Sequence, residues 1–355
     1  MQIGLIGLPQ AGKKTLMRLL TRVDVQVAAP SNGQPIPGIC PVADPRLERL
    51  AAMYRPKKVT PATIHYLLMP DLTKQSESNQ ELLRSLATVD VLAHVVRAFT
   101  DERVFHLDGA VDPGRDIEAV QAELILNDLL FVEKRLERLA KEGLRRGGVD
   151  RSAEQALLTR MQAHLNESHP LRAFPLTLDE HTRLRGAPLL TRKPLLRILN
   201  VNEEAVQDRQ LLALLAERDT SVKMLQVSAK IEEELAQLED PAERAAFLSD
   251  LGIAESALDA LTRASYDALG LISYFTVGPD EVRAWTVRRG ASAAEAGGVI
   301  HSDIERGFIR AEQMRYDDLI ALGSEQAVSA AGKAPLKGKE YVVQDGDILS
   351  FRFNV

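Results

Sequence analysis

The chain has 355 residues, 45% of them hydrophobic and 26% charged, with a formal net charge of −6. That length predicts two or three units with proper cores, at roughly 100–200 residues per domain. The charge excludes a general polycation, so any nucleic-acid contact must come from a local patch. The single cysteine, Cys40, excludes an intramolecular disulfide and a cysteine-built metal site, and predicts a reducing compartment.

The chain opens with an apolar strand, Gln2–Ile6, a loop, Gly7–Gly12, and a helix from Lys13 to about Thr21. This start lacks the basic flank of a signal peptide, and no apolar run reaches the ~18 residues of a membrane span, so a cytoplasmic protein with no membrane partner is expected. Ala28–Gly38, "AAPSNGQPIPG", is rich in Pro and Gly and predicts a mobile loop. Ala62–Met69 and Val89–Phe99 read as buried strands, as do Leu195–Val201 and Val222–Ala229. Strands alternating with helices predict an α/β, doubly wound, mostly parallel sheet.

A long helical stretch from Asp116 to about Asn166 interrupts the alternation. Ile125, Leu129, Val132, Leu136 and Leu139 follow a coiled-coil seam. "RRGGVD" (Arg145–Asp150) turns the chain, and Leu158, Met161 and Leu165 give the returning helix its apolar stripe. The prediction is an inserted antiparallel helical arm. "TLDE" (Thr177–Glu180) is a capping-box start for a further short helix. Beyond Gly270 short alternating strands predict a small β module with a helix around Ala293–Val299. The expected division is 1–115 with 185–270 for the nucleotide-binding core, 116–184 for the arm and 271–355 for the β module.

Gly7-x-x-x-x-Gly12-Lys13, between a strand and a helix, is a phosphate-binding loop: backbone N–H groups cradle the anion and the lysine reaches the β/γ phosphates. With "DPRLERLA" (Asp44–Ala51), "HVVRAF" (His94–Phe99), "VDPGRDIE" (Val111–Glu118), "NVNE" (Asn200–Glu203), "YFTVGPDEVRAWTV" (Tyr274–Val287), "IHSDIERGFIRAE" (Ile300–Glu312) and "VQDGDILSFRFNV" (Val343–Val355), the chain resembles the YchF/Obg-like ATPase family from end to end. The resemblance implies a P-loop NTPase core holding ATP or GTP, a helical arm, a C-terminal β-grasp-like TGS domain, and association with ribosomes or ribosomal RNA, with no DNA partner.

On this resemblance the cofactor-binding residues are Gly7, Gln10, Ala11, Gly12, Lys13, Lys14 and Thr15 at the phosphates and Asn200, Asn202 and Glu203 at the base. Ser228, Ala229 and Lys230 resemble the final base-contacting loop. A guanine-specific site places Asp where this chain has Glu203, so adenine is favoured over guanine.

Several positions depart from the pattern. Lys14 stands where a metal-binding Ser or Thr is expected. "YLLMPDL" aligns Leu68 with the Asp that holds Mg²⁺ through water and Asp71 with the Gly that donates its N–H to the γ-phosphate. The resemblance implies a mobile-loop threonine that senses Mg²⁺ and the γ-phosphate, and that position falls near Asn32. "TKQSESNQELLRSL" (Thr73–Leu86) has no glycine, and none occurs between Gly38 and Gly109, so a loop needing positive φ has lost its permissive residues. Pro70 and the strand register argue against Asp71 as a displaced ligand. No residue is therefore assigned to a metal, no catalytic residue is assigned, and Mg²⁺ is not expected to be held in the usual way.

Two readings of Lys14 stand side by side. Its ammonium substitutes for the charge of Mg²⁺ near the phosphate oxygens, or it is an exposed lysine in a disabled site. Three functions follow: a nucleotide-binding relative with hydrolysis weak or lost, an active ATPase or GTPase with a rearranged metal site, or a nucleotide-free scaffold working through the arm and TGS domain. His94 and Trp285 read as packed residues, Cys40 as a small filler. Lys134, Arg138, Lys141 and Arg145 form a basic stripe, read first as a solvated face and second as a contact for RNA phosphates.

Overall fold

The structure is a computed structural model that describes residues 1–23, 34–72, 79–106, 108–142, 145–146 and 149–354. The loop position near Asn32 and residues 73–78 of the glycine-poor stretch lie outside the described residues. In chain order the elements are β1 (Gln2–Ile6), α1 (Lys13–Thr21), β2 (Ile36–Pro41), α2 (Pro45–Tyr54), β3 (Lys58–Thr60), β4 (Thr63–Leu68), α3 (Gln80–Thr88) and β5 (Val91–Ala98). There follow α4 (Pro113–Glu142), β6 (Arg145–Arg146), β7 (Val149–Asp150), α5 (Ser152–Asn166), α6 (Leu178–Arg183), β8 (Leu195–Val201), α7 (Gln210–Arg218), β9 (Lys223–Val227), α8 (Ala229–Leu235), α9 (Pro241–Asp250) and α10 (Ala257–Ala268). The remainder is β10 (Leu271–Thr276), β11 (Glu281–Arg288), α11 (Ala293–Ile300), α12 (Ser302–Arg306), β12 (Phe308–Arg315), α13 (Tyr316–Leu322), α14 (Glu325–Ala330), β13 (Leu336–Lys337) and β14 (Asp347–Phe353).

The first sheet has the order β2-β4-β1-β5-β8-β9. Its β4-β1, β1-β5, β5-β8 and β8-β9 pairs are parallel. All of β8 and all but the last residue of β5 are buried, which explains their near-continuous apolar sequence: a parallel sheet is covered on both faces. Strand order reverses around β1, so the loop after β1 opens at the topological switch point, where open α/β sheets bind ligands. This is the doubly wound P-loop architecture that the sequence pattern implies.

The arm is a 30-residue helix, α4, folded back through the β6–β7 hairpin onto α5. Ile125, Val132 and Leu139 meet Leu157, Leu158, Met161 and Leu165 in one buried cluster, with Leu129 and Leu136 partly buried beside it. Helix α4 begins at Pro113, ahead of the expected Asp116, because Asp112 Oδ1 accepts the Arg115 N–H and proline suits the first helical position. The capping box at Thr177 and Glu180 is present.

The second sheet has the order β13-β12-β14-β10-β11-β3. It mixes antiparallel β10-β11 and β12-β14 with parallel β10-β14 and β11-β3. Ala293 and Ala296 of α11 pack on Ile272, Tyr274, Ala311 and Leu349, which gives the β-grasp-like module its core. By chain contacts the molecule divides into Met1–Gly38 with His65–Leu261 and Ile39–Ile64 with Thr262–Val355. The arm groups with the first unit, and Ile39–Ile64, expected from sequence in the core, groups with the second. The reason is β3, which pairs with β11 from Lys58 to Thr60.

Candidate functional site

The loop between β1 and α1 is shaped by three positive φ angles: 151° at Gly7, 61° at Gln10 and 94° at Gly12. At two of these positions an added side chain would collide with its surroundings. A Cβ on Gly7 would lie 2.4 Å from the Val95 carbonyl oxygen, and one on Gly12 would lie 2.3 Å from Asn200 Nδ2. The glycines thus let the loop press against β5 and β8. Helix α1 starts at Gly12 with no side-chain cap and no acidic residue in its first turn. Its first N–H groups have no intrahelical acceptor, and with the helix dipole they make an anion site.

Lys13 is only 4% exposed. Its Nζ donates to the Gly7 and Leu8 carbonyl oxygens, each at 2.7 Å, and lies 2.6 Å from Asp71 Oδ1. Burial pulls the Lys13 pKa below the ordinary lysine value; Asp71 opposes this and Lys14 adds to it. The sequence argues against Asp71 as a displaced metal ligand; the structure pairs its carboxylate with Lys13. Past the end of β4, Met69 N donates to Leu5 O and Leu72 N to Gly7 O, so the chain keeps following β1 and carries Asp71 over the loop. Lys14 is exposed, Thr15 is half-buried, and Leu68 is buried.

The base-side residues converge from the ends of β8 and β9. Asn200 is buried and joins two loops: its Nδ2 donates to Ala11 O at 3.2 Å, and Ala229 N donates to its Oδ1 at 3.1 Å. Glu203 and Lys230 form an ion pair at 2.7 Å. Ser228 Oγ is buried with no hydrogen-bond partner among the described residues. Asn202 is engaged elsewhere, accepting from Thr100 N at 2.9 Å and donating to Thr100 O at 3.0 Å. His94, next to this loop on β5, is packed: burial first, then the charges of Arg197 and Lys13, push its pKa down to about 3.

A profile of the YchF-GTPase_C family, described as a protein of unknown function (DUF933), matches residues 271–354. The chain is 41% identical to "Ribosome-binding ATPase YchF" of Bacillus subtilis, the alignment covering 99% of each chain. It is 35% identical to "Obg-like ATPase 1" of Oryza sativa subsp. japonica, over 100% of this chain and 92% of the relative. The chain belongs to the YchF family. A solved structure, that of the Schizosaccharomyces pombe YchF GTPase, superposes with a TM-score of 0.86 at 31% identity, covering 99% of this chain and 97% of that one. The match runs over essentially the whole of this YchF-family chain. The two sides of the cradle differ in what the sequence reveals. Lys13, Asn200 and the Ser228–Lys230 loop carry motif signals. Asp71 carries none; its one hint is a carboxylate three residues after the end of a strand next to β1.

Proposed function

We propose that this protein binds a purine nucleotide, with adenine favoured over guanine, that it is impaired in Mg²⁺-dependent hydrolysis, and that it acts in association with the ribosome. The observation that carries the reading is the pairing of a formed anion cradle with a lost set of oxygen donors. Gly7, Gln10, Ala11 and Gly12 shape the loop, and Lys13, Lys14 and Thr15 line the open helix start. Asn200, Asn202, Glu203, Ser228, Ala229 and Lys230 lie at or just beyond the ends of β8 and β9, the positions that the family resemblance assigns to the base and its closing loop.

The chemistry at the metal positions does not fit Mg²⁺, a hard cation that takes oxygen ligands in an octahedron. Lys14 offers an ammonium and Leu68 a buried hydrocarbon, while Asp71 is engaged by Lys13. Without a metal at the developing charge, in-line phosphoryl transfer lacks its main electrostatic support. Glu203, longer than the aspartate of a guanine-reading site and paired with Lys230, supports the preference for adenine. Association with the ribosome rests on the relatives' printed name and on the exposed Lys134, Arg138 and Lys141 along the arm.

Isothermal titration with ATP and GTP, in Mg²⁺ and in EDTA, tests the reading alongside a turnover assay. The expected outcome is ATP binding tighter than GTP, unchanged within about threefold by EDTA, abolished by Lys13→Ala, with turnover at background. Metal-dependent binding with turnover that Lys13→Ala removes would replace this reading with an active ATPase.

A further inference from the structure

The three hydrogens of the Lys13 ammonium have three acceptors: the carbonyl oxygens of Gly7 and Leu8 and the carboxylate of Asp71. A lysine ammonium has three donors and no more. In a phosphate loop this ammonium is the group that meets the β and γ phosphates. A carboxylate oxygen 2.6 Å from it therefore competes with a terminal phosphate oxygen for that ammonium. From this we infer that Asp71 stands in for a γ-phosphate and that the site selects nucleoside diphosphates over triphosphates, without a metal. The inference rests on the nucleotide reading above and adds to it the number of phosphates.

Charge complementarity favours the same answer. Lys13, Lys14 and the start of α1 bring two full positive charges and a partial one to the loop. A β-phosphate together with the Asp71 carboxylate is close to their match. A γ-phosphate adds further negative charge beside a carboxylate, and neither Lys14 nor Leu68 offers an oxygen to a neutralising cation. Sterics point the same way. Pro70 and the Leu72 N–H bond to Gly7 O fix the chain on both sides of Asp71, so its carboxylate sits over the loop. Its side chain is 45% exposed, while that of its partner Lys13 is buried.

The test uses the full-length protein in EDTA, titrated with ADP and ATP, together with Asp71→Asn and Asp71→Ala. Thermal melts within about 2 °C of the parent establish that both variants fold. The expected result is ADP binding at least about tenfold tighter than ATP in the parent chain. Both substitutions should shrink that ratio to within about threefold by strengthening ATP binding. ATP binding as tightly as ADP in the parent, or a ratio that Asp71→Asn leaves unchanged, overturns the inference while leaving the nucleotide reading standing. Binding of neither nucleotide overturns both.

Discussion

His94 has its imidazole buried near the positive charges of Arg197 and Lys13, and that placement makes folding pH-dependent. Its native pKa is lowered to about 3, first by burial and then by Arg197 and Lys13, whereas the unfolded chain titrates near the ordinary value of about 6.5. Below that value the unfolded state holds the extra proton, so native stability falls as the pH drops from about 6.5 toward 3, at up to about 1.4 kcal/mol per pH unit. Urea denaturation between pH 7 and 5 should show this slope, and His94→Gln should flatten it. Gly12 supplies a second prediction of the same kind. A Cβ there would strike Asn200 Nδ2, so Gly12→Ala should cost about 1–3 kcal/mol, through strain at positive φ and the broken Asn200 bridge. In an Asn200→Ala background the added cost should be smaller, because the obstructing amide is gone. A double-mutant cycle reads the coupling, and full additivity would contradict the contact.

The arm shows which parts of an element are legible in a linear sequence. Its seam was readable because the heptad spacing of Ile125 to Leu139 survives as a local pattern, and those side chains do face α5. Asp128 was not readable. It lies within that seam's span at 0% exposure, accepting from Leu190 N at 2.7 Å, Thr191 N at 2.8 Å and Thr191 Oγ1 at 2.7 Å. These partners are more than sixty positions away, and no periodicity encodes them. The pairing of Asp71 with Lys13 was not readable for a related reason, since the course of the chain beyond β4 depends on backbone bonds to β1 and not on residue type. The arm also separates packing from recognition. Leu139→Ala, at 0% exposure, should destabilise by about 2–5 kcal/mol in denaturant titrations. Lys134→Ala with Lys141→Ala, both exposed, should leave stability within about 0.5 kcal/mol. If the arm meets RNA phosphates, the same pair should lower the salt slope of co-sedimentation with ribosomes; an unchanged slope would confine the basic stripe to solvation.

The division of the chain was the least legible feature, because a change of texture at Gly270 marks where the β module's sequence begins but not which earlier segment completes it. Strand β3 and helix α2, some two hundred positions upstream, belong to that module's unit. Lys57 N and Lys58 N donate to Pro279 O and Asp280 O, and β3 then forms the sheet's edge beside β11. Arg46 fastens α2: its guanidinium bonds Asp44 and Asp345, each at 2.8 Å, and lies over Phe275. Asp345 Oδ1 in turn accepts from Ser273 N at 2.9 Å, so one carboxylate ties α2, β10 and the turn before β14. Arg46→Ala should therefore cost about 1–3 kcal/mol, the range for charge-assisted hydrogen bonds left unmade, measured as a shift of the denaturant midpoint. A chain ended after Gly270 tests the grouping more severely. It removes β11, the partner of β3, and Asp345, the partner of Arg46, leaving the N–H groups of Lys57 and Lys58 without their acceptors. Trypsin should then cut the shortened chain at Arg46, Arg49, Lys57 or Lys58 under conditions in which the full chain is spared there. Equal protection of these four sites in both chains would mean that α2 and β3 do not depend on residues 271–355 for their order.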